Sequence, residues 1–319
     1  MTQLYVVTGA GPVGWTVAEK LAARGDRVRI LTRSGAGPDN PGIERIRVDV
    51  SDPHRVQPAF EGAEAVFHCI HGSAYTAAAW EAELPRAEQV VLEAAGQAGA
   101  VVVFPESLYS YDQPDEVMTE RSSRKAVAGK RGVRTLLLRQ REASATATVS
   151  MVASDFYGPR VRAAHAGERI VPRLLAGKTI RPLGNPDLPH SFTYVPDLAA
   201  AMIAAAARKE LWNSVLHAPT TAAPTFRGIA KEFARAAGSP EPRIKPVPGW
   251  MVRLLGKFPG DLRELSEMLY QFENPFVMDS AHSEVLLGLR PTPLQDGAAA
   301  TVSWWQGQGA VPLAPKIVQ

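Results

Sequence analysis

The sequence predicts an α/β fold: a doubly wound parallel sheet followed by a smaller C-terminal region. Three observations predict it. Short, continuous apolar runs such as "AVFHCI" and "AVVVF" alternate with amphipathic segments of helical period. Strands of that kind are buried on both faces, which is the habit of parallel sheets covered by helices. A glycine-rich turn joins the first strand to the first helix. From Tyr157 onward, Pro and Gly become frequent and the alternation breaks.

The elements follow in order. Leu4 to Val7 form an apolar β-rich run, and Gly9, Gly11 and Gly14 then read G-x-G-x-x-G. Val13, Val17 and Leu21 recur at helical spacing until Gly25 stops the helix, and Arg27 to Leu31 form the second strand. A third strand is expected over Arg45 to Val50, a short helix over Pro53 to Phe60, and a fourth strand over Ala65 to Ile70. A long helix then covers Trp80 to Ala98, a fifth strand Ala100 to Phe104, a helix Arg131 to Ala145, and a sixth strand "TVSMVA". We expect residues 1–157 to form the first domain. Residues 158–319 mainly form the second, with elements near 191–217 returning to the first.

The glycine motif lies on strand, turn, helix, strand, which is the context that gives it meaning. The first glycine makes the tight turn, the second admits a pyrophosphate close to the backbone, and the third lets helix pack on strand. Pro12 suits the first helical turn, where its missing N–H costs nothing, and Val13 follows it into the helix. The free N–H groups at the helix start favour an anion. We therefore expect a Rossmann-like dinucleotide site at Gly9, Gly11, Pro12, Val13 and Gly14. The second strand ends in Thr32-Arg33-Ser34, with no carboxylate for a ribose 2′-hydroxyl. An Arg there suits the 2′-phosphate of NADP, and Ser34 adds a hydroxyl.

Composition bounds the function. The 319 residues are 45% hydrophobic and 21% charged, with a net charge of +3 spread along the chain. Neither a dedicated nucleic-acid surface nor a membrane span is expected. The single cysteine, Cys69, excludes an internal disulfide. His68 and His71 bracket it, but neighbouring strand residues point to opposite faces, so no metal site is expected. A cytoplasmic protein is expected.

In order along the chain, "VDVSD" (48–52), "VFHCIH" (66–71), "VVFPESLYSY" (102–111), "ASDFYGP" (153–159), "SFTYVPDLAAAM" (191–202) and "LGLRPTPLQDGAAATVSWW" (287–305) join the glycine motif. With them the chain resembles an extended short-chain dehydrogenase/reductase of the NAD(P)-dependent epimerase/dehydratase group. The resemblance implies that Asp49 and Val50 flank the adenine and that Cys69 and Ile70 lie along the ribose. It implies that Ser107 hydrogen-bonds the reacting carbonyl, and it suggests a homodimer. The sequence departs from the family in three ways. Its first two glycines are one residue closer. The Tyr-x-x-x-Lys pair is missing, since Arg121 precedes Lys125 and Ala126 precedes Lys130 by four. His190 stands where the family's nucleotide-sugar Arg would stand.

Hydride transfer to a carbonyl needs a polarising hydrogen bond and a proton source. Ser107 supplies the first. Tyr109 is the expected proton donor, Tyr157 the next candidate, and Glu106 a further acid. His71, Trp80, Tyr157 and His190 are expected to meet the substrate, and Trp250, Tyr270 and Phe272 are further candidates for an apolar wall. The expected activity is NADP-dependent reduction or oxidation of a small, fairly apolar carbonyl or alcohol. Two alternatives stand beside it: a non-redox lyase, isomerase or cyclase of the same fold, and a catalytically silent NADP-binding sensor.

Overall fold

The computed structural model describes residues 2–255 and 261–309. The first half alternates strand and helix: β1 (Leu4–Thr8), α1 (Pro12–Ala23), β2 (Arg27–Thr32), β3 (Ile43–Arg47), α2 (Pro53–Phe60), β4 (Ala63–His68), α3 (Ala77–Ala98), β5 (Val101–Ser107), α4 (Gly129–Glu142) and β6 (Thr148–Ala153). There follow β7 (Asp155–Tyr157), α5 (Val171–Leu175), β8 (Phe192–Tyr194), α6 (Val195–Ala206), β9 (Ser214–His217), α7 (Phe226–Ala236), α8 (Gly249–Leu255), α9 (Asp261–Glu267), α10 (Tyr270–Glu273), α11 (Ala281–Leu287) and α12 (Leu294–Gly307).

Seven strands form one sheet in the order β3-β2-β1-β4-β5-β6-β9, and each neighbouring pair is parallel. Helices cover both faces. One core layer holds Val7, Phe67 and Met151 with Val17 of α1 and Met202 of α6. The other holds Val6, Val66 and Val102 with Val56 of α2 and Val91 of α3. Order reverses between β1 and β4, so the crevice beyond the strand ends there is the ligand position of such sheets. A second core packs Tyr157, Phe233 and Trp305 from β7, α7 and α12. The tail from 310 lies outside the described residues.

Several boundaries differ from the sequence expectation. The third strand is Ile43–Arg47 rather than 45–50. The Asp49 carboxylate accepts the Ser51 N–H and the Asp49 carbonyl accepts the Asp52 N–H, so the chain turns there into the Asp52 cap of α2. The fourth strand stops at His68, which leaves Cys69 and Ile70 in the turn beyond it. The long helix starts at Ala77 because the Thr76 hydroxyl caps it. The fifth strand runs on through Pro105 to Ser107, paired with β6 to the end. Val102 donates its N–H toward β6, so Pro105, three residues on, faces the β4 side. Pairing with β4 has ended there at Val103, and the missing N–H breaks no ladder bond.

Candidate active site

The β1–α1 turn has the shape of an anion cradle. Gly9 has φ +91°, and a Cβ there would lie 2.7 Å from the Cys69 carbonyl oxygen. A Cβ on Gly14 would collide with the Gly9 carbonyl. Gly11 is the extended residue that opens α1; no side chain caps the helix, and a Cβ on Gly11 would meet nothing within 4 Å. Pro12 occupies the first turn and Val13 is buried behind it. The result is an open space in front of unfilled N–H groups, which fits a dinucleotide pyrophosphate.

Arg33 is exposed just past β2, and among the described residues no carboxylate lies within 4 Å of it. Its carbonyl accepts a hydrogen bond from Arg47 Nε at 3.0 Å, and Arg55 donates to the Arg47 carbonyl at 2.9 Å. Three arginines thus gather at the ends of β2 and β3. The Ser34 hydroxyl accepts the Ala36 N–H within its own turn. Asp49 is exposed, and Val50 is buried with Leu31 and Val66. The Cys69 N–H donates to the Thr8 carbonyl, and burial raises its thiol. Ile70 Cγ1 lies 3.2 Å from the Cβ position of Gly9. His68 is 3% exposed and shares a 2.8 Å hydrogen bond with the Thr8 hydroxyl. Burial first, then the charges of Arg141 and Arg134, lower it to about 3.

Ser107 ends β5 half-buried, and its hydroxyl accepts the Tyr109 N–H at 3.4 Å. Tyr109 stands on the short 3₁₀ turn Leu108–Ser110. Its hydroxyl is 2.8 Å from that of Tyr75. Burial pushes the Tyr109 phenol well above its ordinary range, so it is protonated at neutral pH. Trp80 stacks beside Tyr109 at 6.2 Å, and His71 meets Trp80 edge-on at 4.7 Å. Packing around His71, then the charge of Arg134, lowers it to about 4. Trp80 is 1% exposed, so it backs the aromatic cluster rather than lining open space.

Glu106 is not a free acid. Its carboxylate accepts the Ser107 N–H at 2.7 Å and pairs with Arg141 at 2.8 Å and Arg134 at 3.5 Å. Lys130 is fully buried; its ammonium meets Glu264 at 2.6 Å and Glu267 at 2.7 Å, with Tyr75's ring 4.9 Å away. Its three protons are taken up by those carboxylates and the Glu264 carbonyl.

A cleft of about 260 Å³, solvent included, lies among His165, Leu188, His190, Phe226, Gln271 and Phe272. His190 is wedged between two acceptors: the Gln271 carbonyl at 3.1 Å and the Asp155 carboxylate at 2.9 Å. Burial alone would raise Asp155, yet the hydrogen bond and charge of His190 bring it below its ordinary value. Phe272 stacks on His190 at 5.6 Å and on His165 at 4.3 Å.

The structure brings Ser107, Tyr109, His71 and Trp80 together. It does not bring Tyr157 there. Tyr157 is 1% exposed in the second core, with its ring 5.2 Å from that of Tyr194 and its hydroxyl against Gly297. Its ring packs with Tyr194 and Phe233 in that core instead. Trp250 is 65% exposed and walls nothing. Tyr75, His165 and Gln271 were missed, since none lies in a motif, and Asp155, within "ASDFYGP", was given no role. Lys130 was weighed only for a tyrosine four residues before it. Among the described residues no group of three or more His, Cys, Asp or Glu could hold a metal, and no helix is long and apolar enough to cross a membrane.

With this fold and this glycine cradle, comparison with known proteins is informative. Residues 5–214 match the NAD dependent epimerase/dehydratase family, and the chain belongs to that family. Solved structures share the fold over nearly the whole chain. UDP-glucose 4-epimerase of Thermotoga maritima, determined with UDP-glucose, is 19% identical with a TM-score of 0.74, over 96% of this chain and 99% of that one. UDP-glucose 4-epimerase of Thermus thermophilus, in complex with NAD, is 22% identical with a TM-score of 0.73, over 97% of this chain and 100% of that one. UDP-glucuronic acid 4-epimerase of Bacillus cereus, also with NAD, is 17% identical with a TM-score of 0.73, over 96% of this chain and 99% of that one. No curated protein matches by sequence.

Proposed function

We propose that this protein is an NADP-dependent reductase or dehydrogenase of a small, fairly apolar carbonyl or alcohol. One observation carries the reading: a protonated phenol, Tyr109, stands two residues past Ser107 at the end of β5 and is hydrogen-bonded to a second phenol, Tyr75. The nicotinamide cofactor, when bound, supplies the hydride. Gly9, Gly11 and Gly14 hold its pyrophosphate, and the Arg33 guanidinium meets a 2′-phosphate.

The chain's own residues then do three things. The Ser107 hydroxyl donates to the substrate carbonyl and polarises it. Tyr109 gives its proton to the developing alkoxide, and the Tyr75 hydroxyl then donates to the Tyr109 oxygen. The aromatic faces of Phe226 and Phe272 exclude water and favour an apolar substrate body. The Tyr109 phenol, raised by burial, stays protonated at neutral pH and so is available to protonate an alkoxide.

A panel of aldehydes and ketones, mixed with NADPH and followed at the nicotinamide absorbance band, tests this. Consumption of NADPH with at least one carbonyl class supports it. Tight NADPH binding with no consumption across the panel moves the protein to the non-redox or sensor alternatives.

A further inference from the structure

Four rings line the cleft beside His190. Phe226 meets His165 edge-on at 4.7 Å, and Phe272 stacks on His165 at 4.3 Å. The row ends at His190, whose ring lies 5.6 Å from Phe272 and nearly parallel to it, at 9°. All four residues belong to the cleft lining. Flat faces in that arrangement suit a further aromatic ring, which packs on them offset or edge-to-face.

The cleft offers no free positive charge among the described residues. Neither lysine nor arginine lines it. Both ring nitrogens of His190 face acceptors, the Gln271 carbonyl and the Asp155 carboxylate. His190 keeps Asp155 ionised, so both nitrogens carry protons and the imidazolium is paired with its own carboxylate. No N–H of His190 remains for a ligand. Burial lowers His165 to about 3, which leaves that ring uncharged near pH 7. A phosphate entering here would give up its water and meet no unspent cation. One polar group is unmet. Gln271 lines the cleft, is 3% exposed, and its side-chain oxygen has no hydrogen-bond partner. A buried amide oxygen without a donor is costly, and an O–H or N–H of a ligand offsets that cost.

We propose that this cleft receives an uncharged aromatic ring bearing a hydroxyl or N–H, which packs on Phe272 and His165 and donates to Gln271, and that it turns phosphate-bearing ligands away. The substrate is then an aromatic carbonyl or alcohol with such a group on its ring. This rests on the reductase reading for the reacting end, but the ring site itself is a matter of binding alone. The test is calorimetry on the full-length protein saturated with NADP⁺, which cannot reduce a carbonyl. The probes are cyclohexyl methyl ketone, acetophenone, 3′-hydroxyacetophenone and 4′-hydroxyacetophenone, with UDP-glucose as the phosphate-bearing ligand.

Acetophenone should bind about two- to tenfold more tightly than its cyclohexyl counterpart, the scale of one aromatic pair. At least one hydroxyacetophenone should gain about three- to tenfold more, the scale of one neutral hydrogen bond. Gln271→Leu should remove the hydroxyl gain and keep the ring preference, and Phe272→Leu should shrink the ring preference. Four outcomes overturn the proposal: no ketone bound by the wild type, no preference for the ring or for the hydroxyl, a hydroxyl gain that persists in Gln271→Leu, or UDP-glucose bound more tightly than every ketone. The wild-type series decides even if a variant fails to fold. NADPH consumption measured on the same ketones separates the two readings. The expected order of binding without turnover sinks the reductase and keeps the ring site; turnover that ignores ring and hydroxyl does the reverse.

Discussion

The hydroxyls of Tyr75 and Tyr109 lie 2.8 Å apart, although 34 residues separate them in the chain. Tyr75 comes from the loop between β4 and α3, and Tyr109 from the turn after β5. The contact therefore forms across two neighbouring strand ends, where the reacting part of a bound substrate is expected. It gives the proposed proton donor a second proton behind it, and it makes the site's chemistry testable residue by residue.

Tyr109→Phe removes one oxygen and keeps the ring against Trp80. Carbonyl reduction should fall by about 10²–10⁴-fold in kcat, the range for a lost general acid. Ser107→Ala should fall by about 10²–10³-fold, the range for one lost donor to a developing oxyanion. Both variants should bind NADPH as wild type does, since neither touches the glycine turn. Steady-state kinetics beside a binding titration checks this. Full activity in Tyr109→Phe with loss in Ser107→Ala would move the proton source elsewhere.

Arg33 has no carboxylate within 4 Å among the described residues, so its guanidinium is available to meet a bound 2′-phosphate. Arg33→Ala should weaken NADPH by about 1.5–3 kcal/mol and leave NADH nearly unchanged. Calorimetry with both dinucleotides reads the difference. Equal affinities for NADPH and NADH in the wild type would sink the 2′-phosphate assignment.

Gly11→Val should abolish dinucleotide binding while the protein stays folded. A Cβ at Gly11 meets no atom within 4 Å, so the isopropyl group projects into the space assigned to the pyrophosphate and strains nothing else. A wild-type melting curve with no detectable NADPH binding is the expected pair of results. Normal binding would mean that the anion lies elsewhere.

His68 makes stability depend on pH. It is held neutral in the fold, with its pKa lowered to about 3, and its ordinary value is 6.5. Below pH 6.5 the unfolded chain takes up a proton that the folded chain refuses. Stability from this residue is therefore complete above 6.5 and falls toward pH 3, by about 1.4 kcal/mol per pH unit. Denaturant melts of wild type and His68→Asn from pH 7.5 to 4.5 should show a shallower loss in the variant. Parallel curves would contradict the assignment.

The sequence by itself determined the sheet, its helices and the dinucleotide turn. These rest on local information. Gly9, Gly11 and Gly14 act within six residues through backbone geometry, and the apolar strands announce a buried sheet by composition alone. Ser107 and Tyr109 were legible because the end of a known strand is one place along the chain. Only the tertiary structure decided what surrounds them. Glu106 looked like a spare acid until Arg141 and Arg134, 35 and 28 positions on, enclosed it. Lys130 is paired with glutamates 134 and 137 positions away. His190 found Asp155 across the β7–β8 pair, and Tyr157, its neighbour by two, went into a core. Such partners are set by packing between distant elements, and no local pattern encodes them.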